Sequence, residues 1–255
     1  MTTPETATTT HRPAPTRRRT LRRYIPPQHG AWAILALPWL TGVLTTGWHW
    51  LHLPLLLAWL TGYLASYYLL QAVKTRRPAR FRTQILIYAA PTVLLGGLVL
   101  ALRPQLLWYA PAYATLLAVN IGYAARRDER ALPNDLASVT LSCLMIFVCA
   151  TAAQTTPAAT IAPFLAVTAY LTGTVLYVKT MIRERGNATY YRISVAYHLA
   201  ITAVTAGLRI PVAILFLLLL ARAVALPLRP MTPKQVGLGE VANSVLLLAT
   251  VTLTT

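Results

Sequence analysis

Leu- and Ala-rich runs of about 20 residues recur from residue 29 to the C-terminus, and short clusters of Arg and Lys separate them. About 20 apolar residues in helical form cross the roughly 30 Å hydrocarbon core of a bilayer. In hydrocarbon each backbone N–H and C=O must be satisfied within the protein, which leaves helices or closed barrels as spanning forms. The runs are too long for barrel strands, so the expected fold is all-α, a polytopic transmembrane helix bundle. Composition agrees: 56% of residues are hydrophobic and 11% charged, where a soluble domain spends about a quarter on charge. An ordinary soluble globule is excluded, and so is wholesale disorder.

The pattern predicts nine spans, roughly 29–47, 51–73, 84–102, 106–125, 135–153, 161–182, 192–208, 210–228 and 234–254. The first and seventh are short or rich in Tyr, Thr and His. Pro54, Pro104, Pro163 and Pro211 fall near span starts, where a missing N–H costs little. Thr232-Pro233-Lys234-Gln235 reads as a capping box with proline at the first helical position. Residues 1–23, rich in Thr, Pro and Arg, read as a disordered basic tail, and 24–255 as a single transmembrane domain. The run 16–22 partly resembles a twin-arginine signal. Thr20 stands at the usual aromatic position, and no small-residue cleavage site follows, so a juxtamembrane basic anchor is the better reading.

A net charge of +17 ordinarily points to nucleic acid. Here the basic residues sit in short clusters between apolar runs, as in loops that face anionic lipid, so the bilayer is the expected partner and nucleic acid is not. With nine spans, 21 Lys and Arg fall on the side of the N-terminus, and only Arg103 and Arg209 on the other. The positive-inside rule then puts the N-terminus in the cytoplasm and the C-terminus outside. Trp48-His49-Trp50 marks an aromatic belt at the outer interface, and no carboxylate or Cys accompanies His49 and His52 as metal ligands. Cys143 and Cys149, six apart in one apolar run, read as small buried hydrophobes.

Acidic residues are scarce and therefore informative. Beyond Glu5 in the tail there are Asp128, Glu129, Asp135, Glu184 and Glu240, all toward the cytoplasmic face and among arginines. Each has a structural use. Asp135 or Asn134 can cap the fifth span after Pro133. Arg183-Glu184-Arg185-Gly186 makes a good helix end with Gly186 in the left-handed position. Asp128 and Glu129 relieve repulsion among Arg126, Arg127 and Arg130. Depth points further. At 1.5 Å per residue, Arg222 lies about 9 Å inside the eighth span and Glu240 about 10 Å inside the ninth, on consecutive antiparallel helices. An Arg222–Glu240 ion pair is predicted. His198 and Asn120 lie at about the same 9 Å, with Lys179 and Gln71 slightly shallower. Ionisable side chains inside membrane helices face a cavity or a partner. The expectation is a polar pocket open to the cytoplasm, with Arg126, Arg127, Arg130, Arg183 and Arg185 on its rim suited to a phosphate or carboxylate head.

Pro26-Pro27-Gln28-His29-Gly30-Ala31-Trp32, Asp128-Glu129-Arg130 with Asp135, and Arg183-Glu184-Arg185-Gly186-Asn187 together resemble the YwiC-like family of bacterial membrane proteins, over most of the chain after residue 24. The resemblance implies that Gln28 and His29 belong to the site. It brings no biochemical activity with it. Span count, orientation and acidic cytoplasmic loops are also similar to UbiA-type prenyltransferases, which hold magnesium and a diphosphate. Their acidic motif after the second span is absent, since that loop reads Lys74-Thr75-Arg76-Arg77-Pro78-Ala79-Arg80. The similarity implies Asp128, Asp135 and Glu184 as Mg²⁺ ligands through bridging phosphate oxygens.

Three functions suit these residues. The first is a membrane-embedded enzyme or binder acting on an amphiphile with an anionic head. Gln28, Asn120, Arg126, Arg130, Lys179, Arg183, Arg185, Asn187 and Arg222 would hold the substrate. Asp128, Asp135 and Glu184 would bind Mg²⁺ or act as base, with His29, His198 and Glu240 as further catalytic groups. The alternative is a small-solute or ion transporter coupled at Glu240, Arg222 and His198, although the halves show no internal repeat. A non-catalytic assembly factor is the third. The orientation is directly testable. Alkaline phosphatase fused after Thr255 should be active and a green fluorescent protein there dark, with the reverse for fusions placed between Arg126 and Arg130.

Overall fold

The computed structural model describes residues 29–207 and 209–254, together with Tyr24 and Pro26. The basic tail expected at 1–23 lies outside the described residues, as do Gln28 and the side chain of His29. Among the described residues all regular structure is helical. In chain order the helices are α1 His29–Thr46, α2 His52–Thr75, α3 Pro78–Leu102, α4 Ala110–Ala125, α5 Leu132–Cys143, α6 Met145–Ala152, α7 Ile161–Ile182, α8 Ala188–Ala206, α9 Ile210–Ala225 and α10 Pro233–Thr254. Short 3₁₀ turns at Pro104–Tyr109, Pro157–Thr160 and Leu226–Leu228 lead into or out of neighbouring helices.

Among the described residues, six stretches are long and apolar enough to cross a membrane: His52–Thr75, Pro78–Leu102, Leu132–Ala152, Pro157–Ile182, Ile210–Leu228 and Pro233–Thr254. Leu132–Ala152 joins α5 and α6, which are separated only at Leu144. The remaining helices, α1, α4 and α8, are shorter or carry more polar side chains. Helix α3 starts six residues before the apolar run does. Pro78 sits in its first turn, where no N–H is needed, and Arg80 and Arg82 are as compatible with helix as Leu. The apolar boundary therefore marks the hydrocarbon, not the helix.

Many threonine hydroxyls in the spans are satisfied on their own helices. Thr41, Thr46, Thr61, Thr140 and Thr180 each donate to the carbonyl four residues back. Proline creates one larger debt. Pro38, inside α1, cannot donate to the carbonyl of Ile34, and Ser142 Oγ of α5 donates there instead at 2.6 Å. The indole of Trp59 on α2 donates to the neighbouring Leu35 carbonyl at 3.3 Å.

Helix α7 is the central post, packed against α1, α5, α8, α9 and α10. Its Val167, Tyr170 and Leu171 join Leu37, Val139, Ile146, Phe216, Leu219 and Leu247 in the largest core cluster. A second cluster of Val43, Leu51, Leu55, Val99, Met145, Val148 and Cys149 ties α1 to α2, α3 and α6. Helix α3 is the opposite of α7, with only Gln84 and Val99 buried. Leu86, Ile87, Val93, Leu94 and Leu98 point outward from it.

The α1–α2 turn is closed by its histidines. His52 is fully buried; the His49 amide donates to its Nδ1 at 3.2 Å, so its Nε2 carries the proton given to the Cys149 carbonyl at 3.1 Å. Both ring nitrogens are thus spent on the fold. Both cysteines are free and buried.

Helices α1 and α6 meet at Gly42, where an added Cβ would lie 2.6 Å from Cys149 Cβ and 3.2 Å from the Ile146 backbone. Gly42→Ala should therefore cost about 1–3 kcal/mol by overpacking. Gly96→Ala on α3, with no atom within 4 Å of the new methyl, should leave stability level or slightly raised. Paired thermal melts in detergent check both.

Candidate functional site

Two polar clusters flank α7. The first lies at its C-terminal end. Lys179, with a side chain only 7% exposed, pairs with Asp135 Oδ2 at 2.8 Å and also donates to the Arg130 carbonyl. Asn134 Nδ2 donates to the Glu129 carbonyl at 2.7 Å. Ser138 Oγ lies 3.0 Å from the Asn134 carbonyl and 3.4 Å from Asn120 Oδ1. Lys179 thereby pins the α4–α5 loop to α7, and it brings exposed Arg126 and Arg130 to the same end of the bundle as Arg183. Neither Asn134 nor Asp135 caps α5. The helix starts at Leu132 with Ala131 in the N-cap position, because Pro133 is best placed inside the first turn. Asp135 remains well placed in that turn, where the helix dipole favours an anion.

The second cluster lies deeper, between α7, α8, α9 and α10. Arg222 pairs with Glu240 through Nη1 and Oε1, as the matched depths predict, and the two side chains are 9% and 12% exposed. Thr174 Oγ1 donates to Glu240 Oε2 at 2.9 Å, while Tyr170 OH donates to the Glu240 carbonyl and meets Ser244 Oγ at 3.0 Å. The Arg222 guanidinium lies over the Tyr177 ring, 4.1 Å from its centroid. Arg222 Nε and Nη2 find no hydrogen-bond partner among the described residues. Those two atoms form the side-on fork of the guanidinium, the edge that fits a carboxylate or phosphate bidentately. One residue from Thr174, Gly173 gives α8 its close approach, since a Cβ there would sit 2.9 Å from His198 Nε2. His198 Nδ1 donates to the Ser194 carbonyl at 2.7 Å, which leaves Nε2 as the acceptor of a neutral ring. Nε2 and Ser194 Oγ are buried with no partner among the described residues.

The expected metal set is not assembled. Among the described residues no three His, Cys, Asp or Glu side chains group so as to hold a metal ion. Asp135 is taken by Lys179, and Glu184 Oε2 accepts from Asn187 Nδ2 at 2.9 Å. Asp128 is an exposed turn residue whose amide bonds Tyr123. Asp135 is held by Lys179 and Glu184 by Asn187, and the three carboxylates form no cluster, so the arrangement does not fit a Mg²⁺–diphosphate centre. Asn187 caps α8 through the amides of Thr189 and Tyr190, and Arg185 reaches the Arg229 and Met231 carbonyls at 3.4 Å each. The capping box holds, with Gln235 Oε1 accepting from the Thr232 amide at 2.9 Å. Gly186 takes φ +83°.

Asn120 and Arg127, seven positions apart and so near one face of an ideal helix, part company. Asn120 faces α5, whereas Arg127 turns to the α2 side and donates to the Lys74 carbonyl. Unforeseen members of the deep cluster are Tyr170, Thr174, Tyr177 and Ser244. The first three stand at i, i+4, i+7 on α7, a signal present in the sequence but overshadowed by the charges.

Comparison with known proteins adds the following. The family described as YwiC-like protein matches residues 25–150. The "Uncharacterized protein YwiC" of Bacillus subtilis (strain 168) is 33% identical over 187 residues, covering 73% of this chain and 78% of that protein. An "Uncharacterized protein" of Haemophilus influenzae is 33% identical over 221 residues, covering 84% of this chain and 91% of its own. No solved structure matches the chain.

Removing one partner of a buried ion pair strands the other. Glu240→Gln should destabilise the protein by about 3–5 kcal/mol. The double variant Arg222→Met with Glu240→Leu, which removes both charges at similar volume, should unfold within about 1 kcal/mol of wild type or above it. Thermal melts of the three proteins in one detergent give the comparison.

Proposed function

We propose that this chain, which belongs to the YwiC-like family, holds the anionic head of an amphiphile in a membrane-embedded recess between α7, α8, α9 and α10 that opens to the cytoplasm. In this reading α5 and α6 count as one rod, giving nine spans in a bacterial inner membrane, with the N-terminus inside. The exposed Arg126, Arg130 and Arg183 draw the head to the mouth, and Arg222 receives it.

One observation carries the reading. The Arg222 side chain is more than nine-tenths out of solvent, yet two of its three guanidinium nitrogens lack a hydrogen-bond partner among the described residues. An unpaired ionic donor at that depth costs several kcal/mol, so it is retained where something other than the protein completes it. A bidentate oxyanion is the chemical match for the free fork. Glu240 supports the geometry by fixing Nη1, and Thr174 and Tyr170 fix Glu240. His198 Nε2 is the neutral proton acceptor of the set. Because Asp128, Asp135 and Glu184 form no cluster and two of them are held by Lys179 and Asn187, no step is assigned to magnesium, and the function rests on binding the head.

Native mass spectrometry of the gently purified protein, with lipid extraction, tests this. Wild type should carry an anionic amphiphile. Arg183→Ala should lower its occupancy, and Arg222→Met with Glu240→Leu should remove one bound equivalent while the melting temperature holds. An unchanged number of bound amphiphiles on the double variant, or none on wild type, overturns the proposal. In the latter case proton-coupled flux in liposomes, dependent on Glu240, becomes the competing explanation.

A further inference from the structure

A different charge cluster has no place in that recess. Helices α2 and α4 both end with an arginine in the left-handed region, Arg76 at φ +55° and Arg127 at φ +61°. At each end the following amide closes back five residues, Arg77 onto Ala72 and Asp128 onto Tyr123. Glycine is the usual residue at this position, because a Cβ crowds the following carbonyl oxygen there. The left-handed turn at Arg127 brings its Nε to the Lys74 carbonyl at 3.4 Å. Lys74 in turn pairs with Glu129 at 2.7 Å, so the α2 and α4 ends are tied together.

Between them, and against the start of α3, is a cleft of about 320 Å³ lined by Lys74, Thr75, Arg77, Arg80 and Arg127. It collects four cations, answered by the single carboxylate of Glu129. Arg77 and Arg80 are exposed and form no ion pair among the described residues. Four like charges around one small cleft repel each other, and a doubly oxygenated anion between them relieves that repulsion. The volume is at the lower end of the range for small-molecule sites.

We propose that this cleft binds a phosphate group, supplied by the head of an anionic membrane lipid. The phosphate lies between Arg77, Arg80 and Arg127, and the acyl chains run along α3. Position argues for the lipid source. Arg80 and Arg77 lead directly into α3, the least buried of the six long apolar stretches, whose Leu86, Ile87, Val93 and Leu94 face outward below the cleft. A soluble anion would gain nothing from that apolar flank. The site is separate from the one between α7 and α10, so either stands if the other falls.

The test uses the full chain in a neutral detergent, probed by native mass spectrometry with phosphatidylglycerol, phosphatidylcholine and inorganic phosphate. Wild type should retain phosphatidylglycerol over phosphatidylcholine. Arg77→Gln with Arg80→Gln should weaken that retention roughly thirtyfold, by the contribution of two cations near a lipid surface. The control Arg229→Gln with Lys234→Gln removes the same net charge from another loop and should match wild type. Equal loss in the control, or equal retention in the Arg77/Arg80 variant, overturns the site. Displacement of phosphatidylglycerol by millimolar inorganic phosphate overturns the lipid as its source and leaves a soluble phosphate.

Discussion

A guanidinium cannot be carried into hydrocarbon alone, and the pairing of Arg222 with Glu240 is the interaction on which the α7–α10 half of this bundle depends. The pair fixes α9 against α10. Thr174 and Tyr170 reach the same carboxylate and its backbone from α7, so three helices converge on one acidic residue. Tyr177 supplies the ring face that covers the cation. The arrangement is stable only as a set, because any one helix withdrawn would leave charge against apolar surface. Lys179, two turns along from Gly173 on the same helix, repeats the solution toward α5 with Asp135. Helix α7 is therefore both the central post of the fold and the element to which its interior charges are referred.

The contrast with α3 shows how differently two spans of similar apolarity can be used. Helix α7 alternates large and small residues around its circumference, with Gly173 admitting His198 and Tyr170 filling the core. Helix α3 presents Leu and Val on nearly every side and contacts little beyond α2. In water such a helix would be a liability, but in lipid it loses nothing by facing outward, since hydrocarbon chains are as apolar as the neighbouring side chains. Its charged first turn, by contrast, belongs to the headgroup layer. One helix thus spans two solvents, and its composition changes between Arg82 and Ile85.

Much of this was legible before any coordinates. Apolar runs imply rods, and Thr232 with Gln235 marks a helix start through local chemistry alone. The Arg222–Glu240 pair follows from counting depth on two antiparallel neighbours joined by a short turn. What resisted was rotation about each axis. Each residue turns a helix by about 100°, so the partner of Lys179 depends on how α5 and α7 face each other, and no linear spacing carries that. The same limit hid the split between Asn120 and Arg127. That Asp128, Asp135 and Glu184 form no three-ligand cluster among the described residues has a related reason: a shared membrane face does not set where each side chain turns. Backbone conformation was equally silent, because left-handed arginines at 76 and 127 look like any other basic loop residues in sequence.

Pro38 and Ser142 carry a consequence for descent. The proline frees a carbonyl that the serine of another helix, 104 positions later, must satisfy. Neither residue is useful without the other: a serine facing an already bonded carbonyl gains little, and a proline facing alanine leaves an acceptor stranded in oil. Lineages that lose one should lose both, passing through an intermediate in which the serine persists beside a repaired helix, because that order never exposes the carbonyl. The two positions are one inherited character written in two places.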